Sequence, residues 1–100
     1  SMMYLYQTLP DETEIVHSHL IIEDGVQKVI VHFERPTEDG FDSARCSLPE
    51  YTWIFKHGYS TNEISFFEQF LHENEQELYE LACKKPHKKE KRENDERRNL

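Results

Sequence analysis

Two Asp-Gly pairs, Asp24-Gly25 and Asp39-Gly40, constrain the fold of this 100-residue chain more than any other feature. Each pair lies between segments rich in Val, Ile and Phe, and Asp-Gly in that setting is a strong signal for a tight β-hairpin turn. A two-residue turn also fixes which residues of the two strands lie opposite each other. The sequence therefore predicts antiparallel strands together with their register.

A two-residue turn at the first pair joins residues 14–23 to residues 26–35 in one hairpin. In this register Val16 lies opposite Phe33, and one face of the hairpin becomes mostly apolar. A slip by one residue would send the same side chains to the other face. The predicted apolar face consists of Val16, Ser18, Leu20, Val29, Val31 and Phe33.

The second pair extends this face across a third strand. A two-residue turn places Cys46 on the apolar face and sets Glu34 opposite Arg45, which would form a cross-strand ion pair. Pro36 lies close to this turn, so a longer loop through residues 35–40 also fits the pattern.

A helix is predicted after the sheet. Ser60 and Glu63 have the Ser-x-x-Glu spacing of a capping box, in which each side chain binds the backbone amide of the other. Apolar residues then recur at helical spacing. They are Ile64, Phe66, Phe67, Phe70, Leu71, Leu78, Leu81 and Ala82. With short strands at residues 3–8 and 51–55, the fold class is α+β: an antiparallel meander sheet of four or five strands, with one C-terminal helix packed across one face.

The net charge of −8 conceals an uneven distribution. Residues 1–83 contain nearly all the apolar residues and form a single predicted domain, which carries four basic and sixteen acidic side chains. Residues 84–100 form a charged C-terminal tail with eight basic and four acidic side chains. Because an acidic body repels phosphates, nucleic acid is an unlikely partner for the domain, although the basic tail would attract it.

The chain is expected to be cytoplasmic. It contains no apolar run of the roughly 18 residues that cross a bilayer, and its N-terminus does not resemble a secretion signal. Cys46 and Cys83 are too far apart to suggest a zinc or redox motif, and free thiols are expected in a reducing compartment.

Three histidines make one candidate metal site. In the predicted register His17 lies opposite His32, and His19 lies two positions along the same face. Imidazoles at this spacing are within reach of one Zn²⁺ ion, with Glu34 available as a further ligand. The other interpretations are a wetter sheet face, or a pH-sensitive interface that weakens when the histidines are protonated.

The second sheet face is a candidate interface for a homo-oligomer. The predicted register places Ile15, Ile21 and Ile30 there, and the segment around Trp53 also lies outside the predicted core. A partly apolar face of this kind is covered either by the chain's own first strand and loops or by a second subunit. Self-association is the favoured interpretation.

Nothing in the sequence indicates an enzyme. There is no glycine-rich phosphate loop and no nucleophile elbow, and Cys46 lies on the predicted apolar face. The predicted function is a non-enzymatic protein-interaction module, most readily a homodimer, with no cofactor. The alternatives are an acidic, antitoxin-like inhibitor of a nucleic-acid enzyme and a histidine-based metal-binding protein.

Overall fold

The computed structural model describes residues 2–86. Its elements in chain order are β1 (Tyr4–Thr8), β2 (Glu14–His17), β3 (Ile21–Glu23), β4 (Val26–Pro36), β5 (Phe41–Leu48), β6 (Thr52–His57) and α1 (Thr61–Cys83). The strands form one antiparallel sheet in the order β1-β2-β4-β5-β6, and β3 also pairs with β4. Because β2 and β3 lie end to end beside β4, six strands occupy five positions. The predicted α+β meander with a C-terminal helix is confirmed.

The register of the first hairpin is correct at its tip and wrong beyond it. Near the turn Ile21 pairs with Lys28, as predicted. Farther along, His17 pairs with Val31 rather than with His32. The three residues 18–20, which join β2 to β3, lie opposite only two residues of β4. This segment therefore contains one extra residue, which forms a β-bulge.

The bulge has two physical causes. The hydroxyl and the amide of Ser18 bind both backbone groups of Ile30, at 2.9 Å each, so the interrupted ladder loses no partner there. The shift also turns Ile15 into the core against Phe33, where both side chains are fully buried. Val16, which the sequence placed in the core, lies on the opposite face.

The second hairpin has the longer loop. Residues 37–40 form it, and the amide of Thr37 donates to the carbonyl of Gly40 at 2.8 Å. The observed register of β4 and β5 is shifted by two positions from the register that a two-residue turn would give. Because side chains alternate between faces, a shift of two leaves Cys46 on its predicted face, where it is fully buried. Arg45, however, lies opposite His32 rather than Glu34, so the predicted ion pair is wrong.

Helix α1 lies on the core face of the sheet. The ring of Phe67 stacks on that of Phe33 with centroids 4.2 Å apart, and the amide of Leu20 donates to the carbonyl of Ala82 at 3.2 Å. The capping box at Ser60 is confirmed. Phe66, expected to widen the apolar stripe, is instead 52% exposed.

Arg35 fastens the start of the helix to the sheet. Its guanidinium binds three carboxylates from different parts of the chain: Asp11 at 2.9 Å, Asp42 at 2.7 Å and Glu63 at 2.7 Å. The central carbon of the guanidinium also lies 4.7 Å from the centre of the Tyr59 ring. Three like charges would repel each other without this cation, so Arg35 makes their proximity favourable.

Candidate interaction surface

One face of the sheet carries α1, and no helix or strand in residues 2–86 covers the other. Side chains alternate between the faces of a strand, so the pairing assigns this second face directly. We call it the open sheet face; it contains Leu5, Val16, Ile21, Ile30, His32, Arg45 and Phe55. Leu5 is 63% exposed and Phe55 is 40% exposed, so the face presents apolar surface to its surroundings.

A short hydrogen-bonded chain crosses the middle of the open sheet face. The Nε–H of Arg45 donates to Nδ1 of His32 at 3.2 Å, and Nε2 of the same imidazole lies 3.0 Å from the carboxylate of Glu34. Because Nδ1 accepts, the proton of the neutral ring is on Nε2 and is donated to Glu34. Phe55 flanks this chain, 5.9 Å from the imidazole and 5.8 Å from the guanidinium carbon.

One end of the open sheet face is acidic. Glu14 of β2 lies directly opposite Glu34 of β4, and like charges in that position destabilise a sheet. The two side chains border a depression of about 280 Å³, several times the roughly 30 Å³ share of one water molecule. The depression is lined by Thr8, Glu12, Glu14, Glu34, Pro36 and Phe41.

The structure separates the four residues predicted for the interface. Ile21 and Ile30 lie on the open sheet face as predicted. Ile15 is a correction, because the bulge turns it into the core. Trp53 is a second correction: its ring lies 5.8 Å from that of Phe33, on the side of the helix.

Sequence reasoning missed Leu5, Val16 and Phe55 as members of this face, and it gave Arg45 the wrong partner. The alternation of the first strand would have suggested Leu5, because the tyrosines on either side of it are directed to the helix side. Val16 was assigned to the core because the predicted register did not include the bulge. Phe55 was unassigned because a second bulge, between β5 and β6, changes the side on which each residue of β6 lies.

The three histidines are not brought together. His17 lies on the helix side, almost fully buried, and its Nδ1–H donates to the carbonyl of Ser18 at 2.7 Å. His32 lies on the open sheet face, and His19 lies within the bulge. The register that clustered these side chains is therefore wrong, and within residues 2–86 no group of three His, Cys, Asp or Glu side chains is placed to hold a metal ion.

The two cysteines are free, Cys46 buried and Cys83 exposed. Burial, reinforced by the negative charges of Glu68 and Glu50, raises the pKa of the Cys46 thiol to about 12. A thiol in this environment packs as a small apolar side chain and is a poor nucleophile.

Helix α1 carries six carboxylates and no lysine or arginine. Three of these accept hydrogen bonds from aromatic side chains of the sheet side: Glu68 from Trp53 at 2.8 Å, Glu75 from Tyr51 at 2.5 Å and Glu77 from Tyr6 at 2.5 Å. Burial and the neighbouring Glu77 raise the pKa of Tyr6 to about 12. These donors are neutral, and no basic side chain within residues 2–86 forms an ion pair with the three carboxylates, so in this part of the chain they are held in place with their charge uncompensated.

Comparison with models of known protein families, with curated proteins and with solved structures gives no match to this chain. No helix within residues 2–86 combines the length and the apolar character needed to cross a membrane. Of the predicted basic tail, only residues 84–86 are among those described, so the prediction for residues 87–100 lies outside them.

Proposed function

We propose that this chain is a small, non-enzymatic, cytoplasmic interaction module that forms a homodimer through its open sheet face. The observation that carries the proposal is the sheet with a helix on one face and exposed Leu5 and Phe55 on the other. Apolar sheet faces in small domains are commonly completed by a symmetric partner. Two free cysteines fit the reducing compartment.

The size of the open sheet face fits a dimer. Five strand positions about 4.8 Å apart and the 11 residues of β4 span an area of roughly 700 Å². Specific interfaces bury about 800 Å² on each partner. A second copy of the same face would match this area and would place its leucine, valine, isoleucine and phenylalanine side chains against apolar side chains of the first copy.

The oligomeric state tests the proposal, measured by sedimentation velocity over a concentration series. We expect a dimer, and we expect Leu5→Glu to convert it to a monomer with unchanged thermal stability. The matched control is Ile22→Glu, because Ile22 is 60% exposed against 63% for Leu5 and lies on the other side of the sheet. A wild-type chain that stays monomeric throughout would refute the proposal.

A second candidate function is an acidic, antitoxin-like inhibitor that covers the basic site of a nucleic-acid enzyme. The uncompensated carboxylates Glu68, Glu75 and Glu77 support it, because aromatic hydrogen bonds hold them in fixed positions along one helix. Preorganised charge of this kind favours association with a cationic surface.

Binding to a basic nuclease distinguishes this candidate. We would expect salt-sensitive inhibition of a purified basic ribonuclease, weakened at least about tenfold by the triple change of Glu68, Glu75 and Glu77 to glutamine. The same triple change would leave the homodimer intact. If the strength of inhibition changes neither with salt concentration nor with the triple change, this mechanism is excluded.

A further inference from the structure

We propose that Arg45 of each copy forms an ion pair with Glu14 of the second copy, in two reciprocal pairs across the open sheet face. The inference rests on the homodimer proposed above and specifies how the two faces meet. It follows from two charged groups that the described part of the chain leaves without an ion pair.

Arg45 is the first of these groups. Arg35 and Lys28, the other basic side chains of β4 and β5, each bind at least two carboxylates, whereas no described carboxylate forms an ion pair with Arg45. Among residues 2–86 its guanidinium makes one hydrogen bond, from Nε–H to His32. The two terminal nitrogens have no hydrogen-bond partner in that part of the chain, and a guanidinium has the geometry that binds a carboxylate with two hydrogen bonds.

Glu14 is the second group. It is exposed and makes no ion pair among the described residues, and it lies opposite Glu34, whose charge repels it. The depression beside these two carboxylates is concave and acidic, so it fits the end of a long cationic side chain. A guanidinium from a second copy would relieve the repulsion and occupy the depression.

Symmetry links the two pairs. In a two-fold dimer, a contact from Arg45 to the second copy's Glu14 requires the same contact in the reverse direction. Arg45 is on β5 and Glu14 is on β2, so the midpoint between them lies over β4, between His32 and Glu34. The axis therefore passes near the centre of the sheet, and both faces overlap over most of their area.

Charge exchange tests the pairing. Arg45→Glu places carboxylate against carboxylate at both contacts, and Glu14→Arg places guanidinium against guanidinium, so each variant should raise the dimer Kd at least about a hundredfold. In a mixture of the two variants, both contacts of the heterodimer become complementary. We expect the equimolar mixture, measured by sedimentation velocity, to recover the dimer.

The controls match the charge change at other sites. Lys56→Glu on β6 and Glu73→Arg on α1 carry the same reversals at exposed positions away from the open sheet face, and they should leave the Kd unchanged. If the wild type dimerises but the mixture stays monomeric, the pairing is wrong and the homodimer stands. If the wild type is a monomer, the homodimer itself is refuted.

Neutral variants keep the test decisive if a charge reversal unfolds the chain. Arg45→Gln and Glu14→Gln each remove one partner of both contacts. In a double-mutant cycle on the dimer Kd, the double variant should weaken the dimer no more than about twofold beyond either single variant. Fully additive effects would overturn the pairing.

Discussion

The Nε–H of Arg45 donates to Nδ1 of His32, and this hydrogen bond exists only while that nitrogen carries no proton. Nε2 of the same ring lies 3.0 Å from the carboxylate of Glu34, so the imidazole is held on both sides. The guanidinium of Arg45 is oriented by this fixed acceptor and would lose that contact without it.

We therefore expect the dimer to weaken when this acceptor is removed. His32→Phe keeps an aromatic ring but leaves the Nε–H of Arg45 without its partner, so sedimentation velocity should show a dimer Kd that rises at least about tenfold. The control His72→Phe makes the same replacement at an exposed position of α1 and should leave the Kd unchanged. An unchanged Kd in His32→Phe would show that this hydrogen bond does not prepare Arg45 for the dimer contact.

The α-carbon of Gly58 lies against the Asp42 carboxylate, and a side chain at residue 58 would overlap it. Gly58 also has a φ of +87°, which other residues adopt only at a cost. Arg35 holds Asp42 in place, so its carboxylate cannot move aside for a side chain at residue 58. Gly58→Ala should lower the free energy of unfolding by about 2 kcal/mol or more in urea denaturation.

The matched control for this prediction is Gly40→Ala. A side chain at Gly40 would meet no atom within 4 Å, so the change should stay within about 0.5 kcal/mol. Similar losses in the two variants would contradict the steric argument.

Glu63 should contribute to an acid-labile part of the stability. Hydrogen bonds from Arg35 and from the amide of Ser60 hold the pKa of the Glu63 carboxyl below its usual range. A carboxylate with a lowered pKa stabilises the fold above its unfolded value, about 4.3, and this contribution is lost as the pH falls through the folded value. Solvent screens the pair, because Glu63 is 35% exposed.

Glu63→Gln should therefore lower the free energy of unfolding by about 1 kcal/mol at neutral pH and have no effect at about pH 2. The control Glu73→Gln removes the same charge from an exposed position of α1 and should change little at either pH. A difference between Glu63→Gln and the wild type that persists in acid would show that charge is not the cause.

The thiols should differ in reactivity. Cys83 is exposed, whereas Cys46 is fully buried and its pKa is raised to about 12. Ellman's reagent should modify one thiol in the native chain and two after denaturation, and Cys83→Ser should leave none reactive in the native state. Rapid reaction of Cys46 would mean that the core opens on the time scale of the assay.

Local signals in the sequence predicted the elements well. The capping box at Ser60 and the turn at Asp24-Gly25 depend on neighbouring residues only, and both lie where they were predicted. The helix pattern was also readable, apart from Phe66, because apolar residues at helical spacing face the core wherever the sheet lies.

The site was less predictable, because it depends on the bulges. An extra residue between β2 and β3 reversed the faces of Ile15 and Val16, and a strand that reads as continuous gives no sign of where its pairing shifts. Arg45 was correctly placed on β5, but its partner depended on a loop length that Pro36 left open.

The bulge at residues 18–20 also ties the turn to the distant end of the helix. A bulge increases the local twist of a strand, and here the amide of Leu20 reaches the carbonyl of Ala82 while the hydroxyl of Tyr79 reaches that of Gln27. The last turn of α1 contains no basic residue that could stabilise the helix end, so these two hydrogen bonds to the hairpin hold that end in place. We therefore expect the two ends to fray together, and amide hydrogen exchange at the tip should report how firmly the helix terminus is held.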